Sequence, residues 1–211
     1  MAKHTFNMAD VTGDTKVIAR SSYGYDWNFL ADDETLLFGT TDETAFSVKN
    51  ITPGTGISAG DGTLFKGSIL RMGDVIETTI VIDLTGLNSG DADADVIGVA
   101  AAANCNLGQI TAANNGTILA GTVQCVETPA GGEPDIDLYS AVEATGTEET
   151  LITALDETAL LAAAADWTGI LPPKGLTAVP AADEYLYLVG GGGVTNATYT
   201  AGKFVIKLYG Y

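Results

Sequence analysis

The sequence predicts a mainly β protein, an antiparallel β-sandwich or jelly-roll-like fold with one short helix at about residues 148–166. Apolar and polar residues alternate over several short stretches, the period of strands with one buried and one solvated face. Turn clusters separate them at Asn88-Ser89-Gly90, Asn114-Asn115-Gly116, Ala130-Gly131-Gly132 and Gly190 to Gly193. Many short strands joined by Gly-rich turns point to two packed sheets. Helical spacing appears once. With 211 residues the chain can bury a real core, which favours one β-sandwich domain at 61–211 behind an N-terminal segment at 1–60.

Residues 1–60 read as an arm or as accessory strands, with short apolar groups separated by Asp32-Asp33-Glu34 and Pro53-Gly54-Thr55-Gly56. Tyr23, Tyr25, Trp27 and Phe29 alternate onto one strand face, which suits core packing and equally an arm laid on a neighbouring subunit. From Gly62 the pattern sharpens. Ile76, Thr78, Ile80, Ile82 and Leu84 share one face of a strand and Glu77, Thr79, Val81 and Asp83 the other. Similar alternation marks strands at 117–126, 136–142, 185–189 and 204–209. Leu151, Ile152, Leu155, Ala159 and Ala162 recur at helical spacing. Thr145-Gly146-Thr147-Glu148 reads as the capping box of that helix, and Gly169 with Pro172 and Pro173 as its stop.

The two cysteines are placed by register. If Asn114-Asn115-Gly116 forms a three-residue hairpin loop, Ala113 faces Thr117, Leu107 faces Val123 and Cys105 faces Cys125. A disulfide there would constrain the unfolded chain, but a protein made in reducing cytosol more often keeps two buried thiols.

Charge narrows the function. Nine basic residues against 27 acidic ones leave a net −18, and sixteen carboxylates fall between Arg71 and Lys174 without one Lys, Arg or His among them. Nucleic acid and anionic membranes would repel such a surface, so neutral or basic protein surfaces are the expected partners. No apolar stretch of signal-peptide length follows the N-terminal charge and none approaches the roughly 20 residues of a membrane span. Synthesis as a soluble cytosolic protein is expected, and the sequons at Asn50, Asn115 and Asn196 then carry little weight.

Few constellations carry chemistry. Asp91, Asp93 and Asp95 alternate on a turn and are the best metal candidate, for a hard cation such as Ca²⁺. They are not an EF-hand, because Val96 stands where Gly is required and no Glu follows at the twelfth position. Glu133, Asp135 and Asp137 form a second acidic stretch, with Asp135 and Asp137 alternating toward water. A Ser or Cys triad lacks a base, since His4 is the single histidine. A carboxylate-based glycosidase would need an aromatic cleft, for which the acidic middle offers Tyr139 and Trp167 alone. Gly190 to Gly193 has no following Lys-Ser/Thr and joins two strands, so it reads as a hairpin tip and not as a phosphate loop.

The stretches 78–88 (TTIVIDLTGLN), 121–132 (GTVQCVETPAGG), 134–140 (PDIDLYS), 180–189 (PAADEYLYLV) and 198–211 (TYTAGKFVIKLYGY) resemble a family of virion structural proteins from marine tailed phages. The resemblance spans roughly residues 60–211. It implies a non-enzymatic β-sandwich displayed on the virion, a head decoration (cement) protein on the capsid exterior. Its implied partners are the major capsid protein and copies of itself, as a homotrimer, with no cofactor. Strong negative charge suits the outside of a capsid, where the free protein must not bind the genome. The alternative is a tail or head-fibre module that recognises host-surface glycans, with Ca²⁺ at Asp91, Asp93 and Asp95.

Overall fold

The computed structural model describes residues 16–20, 26–29, 36–39, 46–163, 165–192 and 196–211, with side chains from Val48 onward. Among the described residues, twelve strands in two antiparallel sheets make the fold mainly β and sandwich-like. The large sheet begins as a meander of β1 (Lys16–Arg20), β2 (Asp26–Phe29), β3 (Leu36–Gly39), β4 (Phe46–Asn50), β5 (Leu64–Met72) and β6 (Val75–Asp83). It continues through β12 (Ala201–Gly210), then β7 (Ile118–Ala130), and ends at the two-residue β10 (Lys174–Gly175). The small sheet sets β8 (Ile136–Ala141) between β11 (Tyr185–Gly190) and β9 (Glu157–Leu161).

Alternation decides which face is buried. Ile76, Ile80 and Ile82 of β6, Phe204, Ile206 and Leu208 of β12, and Val123 and Cys125 of β7 all turn inward. They join Leu138, Leu160, Leu186 and Leu188 of the small sheet in one apolar core. The long connection between β6 and β7 runs along the free edge of β11. Ile97 N–H donates to Leu188 O at 2.9 Å and Leu107 N–H to Leu186 O at 2.7 Å. That edge is therefore not offered to another chain.

Several expectations change. The helix at about 148–166 does not form: Ile152–Leu155 makes one 3₁₀ turn, Asp156 adopts a left-handed φ of 56°, and Glu157–Leu161 becomes β9 beside β8. Leu151 and Ala159, on the expected apolar face, are exposed, while the adjacent Leu160 and Leu161 are both buried. Supplying β8 with a second neighbour wins over helical spacing. The expected capping box is dismantled as well, since Glu148 accepts from Ala101 N–H at 2.9 Å.

Asn114-Asn115-Gly116 is likewise no hairpin tip. Residues Ala112–Asn115 form a short helical turn, α1, capped by Thr111. Asn115 is fully buried and donates to Thr78 Oγ1 at 2.7 Å, while Thr117 pairs with Tyr211. Strand β7 pairs with β12 and β10, so Cys125 lies beside Phe204 and not opposite Cys105. Both cysteines are free, buried thiols. Burial pushes the Cys105 thiol up to about 11, which keeps it inert at neutral pH.

Ile51 and Ile57, which precede the boundary expected at residue 60, belong to the core. The row of Tyr23, Tyr25, Trp27 and Phe29 lies outside the residues whose side chains are described, as does His4. Backbone pairing places Trp27 opposite Ala19 and Phe38. Among the described residues no helix is long and apolar enough to cross a membrane.

Candidate acidic site

The start of β8, the loop at 91–95, the segment at 163–167 and the turn at 190–192 bring carboxylates together at one end of the small sheet. Asp91, Asp93 and Asp95 themselves do not converge. Asp91 and Asp93 are exposed, whereas Asp95 is buried and its Oδ2 accepts from Asp91 N–H at 3.1 Å and Ala92 N–H at 2.8 Å. That carboxylate closes its own turn, a use Asp competes for strongly. Among the described residues no trio of His, Cys, Asp or Glu is spaced to hold a metal ion.

The second acidic stretch is the more unusual one. Glu133 is 6% exposed and Asp137 is 8% exposed, although alternation alone would place Asp137 toward water. The cover is the segment before β10. Trp167, fully buried, donates from Nε1 to Ile136 O at 2.8 Å and from its backbone N–H to Pro134 O at 3.0 Å. Its ring meets Phe204 edge-on with centroids 5.4 Å apart, and Lys174 Nζ lies 4.1 Å from the ring centroid. Asp137 Oδ1 accepts from Ala163 N–H. Glu133 Oε1 accepts from Asp135 N–H at 3.1 Å. Glu133 Oε2 and Asp135 Oδ1 are buried and find no hydrogen-bond donor among the described residues.

The glycine turn sits on these carboxylates. Gly191 N–H donates to Asp135 O at 2.8 Å, and a Cβ on Gly191 would stand 2.8 Å from Asp135 Cγ. A Cβ on Gly192 would stand 3.3 Å from Glu133 Oε1. The glycines thus allow backbone to approach two acids closely, which is a packing role and not that of a hairpin tip. The sequence does place the acids and the glycines, but the signal that buries them is Trp167, whose cover is legible only in three dimensions.

Burial comes first in raising the carboxyls of Glu133, Asp135 and Asp137 above the ordinary range. Asp166 adds to the rise at Glu133 and Asp135, and Asp93 to that at Asp135 and Asp137. Lys174 pulls Asp135 and Asp137 down but is outweighed. Glu148 is also raised, chiefly by burial. On the large sheet the sign reverses. A hydrogen bond from Lys207 lowers Glu77, and at Asp83 bonds from Thr85 and Lys203 overcome the effect of burial.

These directions fix a pH profile. A carboxyl raised in the folded state holds its proton at a pH where the unfolded chain has lost it, so stability rises as pH falls through that window. Glu77 and Asp83 contribute above the ordinary carboxylate range and lose that contribution below it. In buffer with EDTA, Tm is expected to climb as pH drops from 7 toward the ordinary carboxylate range and then to fall. Glu133→Gln should flatten the climb; a Tm that declines steadily from pH 7 in the parent contradicts it.

Comparison with family models, with curated proteins and with solved structures returned no match. Fold and site together describe an acidic, sandwich-like β protein.

Proposed function

We propose that this chain is a non-enzymatic virion structural protein, a head decoration protein that binds the outside of a capsid shell and stabilises it as a trimer. The observation that carries this reading is the outer face of the large sheet. Cross-strand register lines up four rows over β5, β6, β12 and β7: Leu64, Asp83, Lys203, Glu127; Lys66, Val81, Val205, Gln124; Ser68, Thr79, Lys207, Thr122; and Leu70, Glu77, Tyr209, Ala120. Three cations balance three carboxylates across these rows, on a chain whose net charge is −18.

Lys203 bridges Asp83 at 3.1 Å and also Glu127, and Lys207 bridges Glu77 at 2.8 Å. The lysines are therefore held in place at this face and not scattered through the acidic half. Leu64, Met72, Val75 and Tyr209 are each more than a third exposed here or at its margin. A neutral, partly apolar sheet surface is where so acidic a protein can meet another without charge repulsion. The stretches that resemble the phage family form β6, β7, β8, β11 and β12, so the likeness falls on the centre of the fold.

Cryo-electron microscopy of purified particles tests the proposal. Hundreds of icosahedrally ordered copies outside the shell, bound through the face bearing Lys66, Lys203 and Lys207, are expected. Lys66→Glu combined with Lys207→Glu should strip most copies and lower the temperature at which capsids open. A handful of copies at the tail or vertices would move the assignment to host recognition.

A further inference from the structure

We propose that Glu133 and Asp135 are the two carboxylate ligands of a single hard divalent cation, of which Ca²⁺ is the type, seated beneath the glycine turn at residues 190–192. This site is independent of the virion role. Two buried carboxylate oxygens, Glu133 Oε2 and Asp135 Oδ1, lack any donor among the described residues, and Glu133 is 94% removed from solvent by its 6% exposure. An ionised carboxylate so placed is costly unless an opposite charge meets it. The attraction of Lys174 for Asp135 and a backbone bond from Ala165 lower its carboxyl without outweighing burial and the neighbouring acids, and among the described residues no cation pulls Glu133 down. Asp137 is engaged by Ala163 N–H, and Lys174 rests over Trp167. Asp93 and Asp166 are exposed and add negative potential where an ion would enter.

Two carboxylates match the charge of one divalent ion, and Ca²⁺ fills its remaining positions with backbone carbonyls and water, so a third acid is not required. Ca²⁺ fits better than a smaller ion because its coordination tolerates irregular geometry, whereas Mg²⁺ demands a near-ideal octahedron. Gly191 and Gly192 keep side chains out of the space above both acids, where a Cβ would crowd Asp135 and Glu133. The competing way to neutralise the pair is a bound proton, and the two are separable.

Tb³⁺ added to EDTA-stripped protein is the probe, because Trp167 hydrogen-bonds the carbonyls on both sides of Asp135 and can transfer excitation to an ion there. Trp-excited emission should saturate at one Tb³⁺ per chain and be displaced by Ca²⁺. Glu133→Gln and Asp135→Asn should each weaken binding at least tenfold, while Asp91→Asn leaves it unchanged. Ca²⁺ should raise the Tm of the parent and of Asp91→Asn but of neither site variant. A parent whose Tm ignores Ca²⁺, or emission as strong in Glu133→Gln as in the parent, overturns the site. So does a Glu133→Gln protein that is more stable than the Ca²⁺-saturated parent, since the pair would then be neutralised by a proton.

Discussion

Phe204→Ala is expected to lower unfolding free energy by about 3–5 kcal/mol, the range for deleting a buried aromatic ring. In a domain of this size that moves Tm by on the order of 10 °C. Phe204 is fully buried in the middle of β12, flanked by Ile82 on β6 and Cys125 on β7. Its ring also meets the edge of Trp167, so the substitution removes an aromatic pair worth roughly 0.5–1.5 kcal/mol beyond burial. The loss should spread. Trp167 anchors the segment over Glu133 and Asp137, so hydrogen exchange at residues 133–137 is expected to quicken along with the global loss. Urea unfolding monitored by Trp fluorescence measures the first effect; a shift below 1 kcal/mol would mean that the site collapses around the missing ring.

Gly98→Ala is the second large effect, and it should be partly reversible by a second change. Cys105 is wedged between two glycines. A Cβ on Gly98 would stand 2.2 Å from Cys105 Sγ and 2.8 Å from its Cβ, and one on Gly56 would stand 2.4 Å from the same sulfur. Overpacking of this kind costs about 1–3 kcal/mol. The two glycines differ in what else is near. Gly56 also faces Ala103 O at 2.6 Å, which is backbone and cannot rotate away, whereas the close neighbours of Gly98 belong to the Cys105 side chain. Cys105→Ala is therefore expected to recover part of the stability lost in Gly98→Ala and little of that lost in Gly56→Ala. A double-mutant cycle reads the difference directly. Equal recovery at both glycines would show that the backbone of residues 103–105 gives way.

How much of the fold is legible in the chain depends on how local each signal is. Strands β6, β7 and β12 are legible because one face of each meets the core and alternation survives in the residues themselves, whereas β8 and β11, covered on both faces, are legible from their short apolar runs between turn residues. The stretch that forms β9 reads as helix because Leu151, Ile152 and Leu155 suit one helical turn, and only the vacant edge of β8 decides the conformation beyond Asp156. The cysteine register fails for a related reason. A hairpin is the nearest partner for residues 118–126, but β12, some eighty residues on, takes that place. At the acidic site the residue types are visible in the chain, but which of their oxygens are satisfied is not. Asp91, Asp93 and Asp95 have the more suggestive spacing, yet Asp95 spends its carboxylate on Asp91 and Ala92, and among the described residues the unsatisfied buried oxygens belong to Glu133 and Asp135.

The position of β12 bears on how a cell makes this protein. Strands β6 and β7 leave the ribosome early but do not pair with each other; the place between them is filled by residues 201–210. At about 5–20 residues per second, the roughly seventy residues after β7 take on the order of 4–14 s to translate. During that interval the nascent chain carries two strands with open edges, each able to capture a strand from a neighbour on the same message. From Asp91 to Asp166 this part of the chain carries thirteen carboxylates, Glu127 of β7 among them, and no Lys, Arg or His. Mutual repulsion among such chains keeps the edges apart until their proper strand arrives.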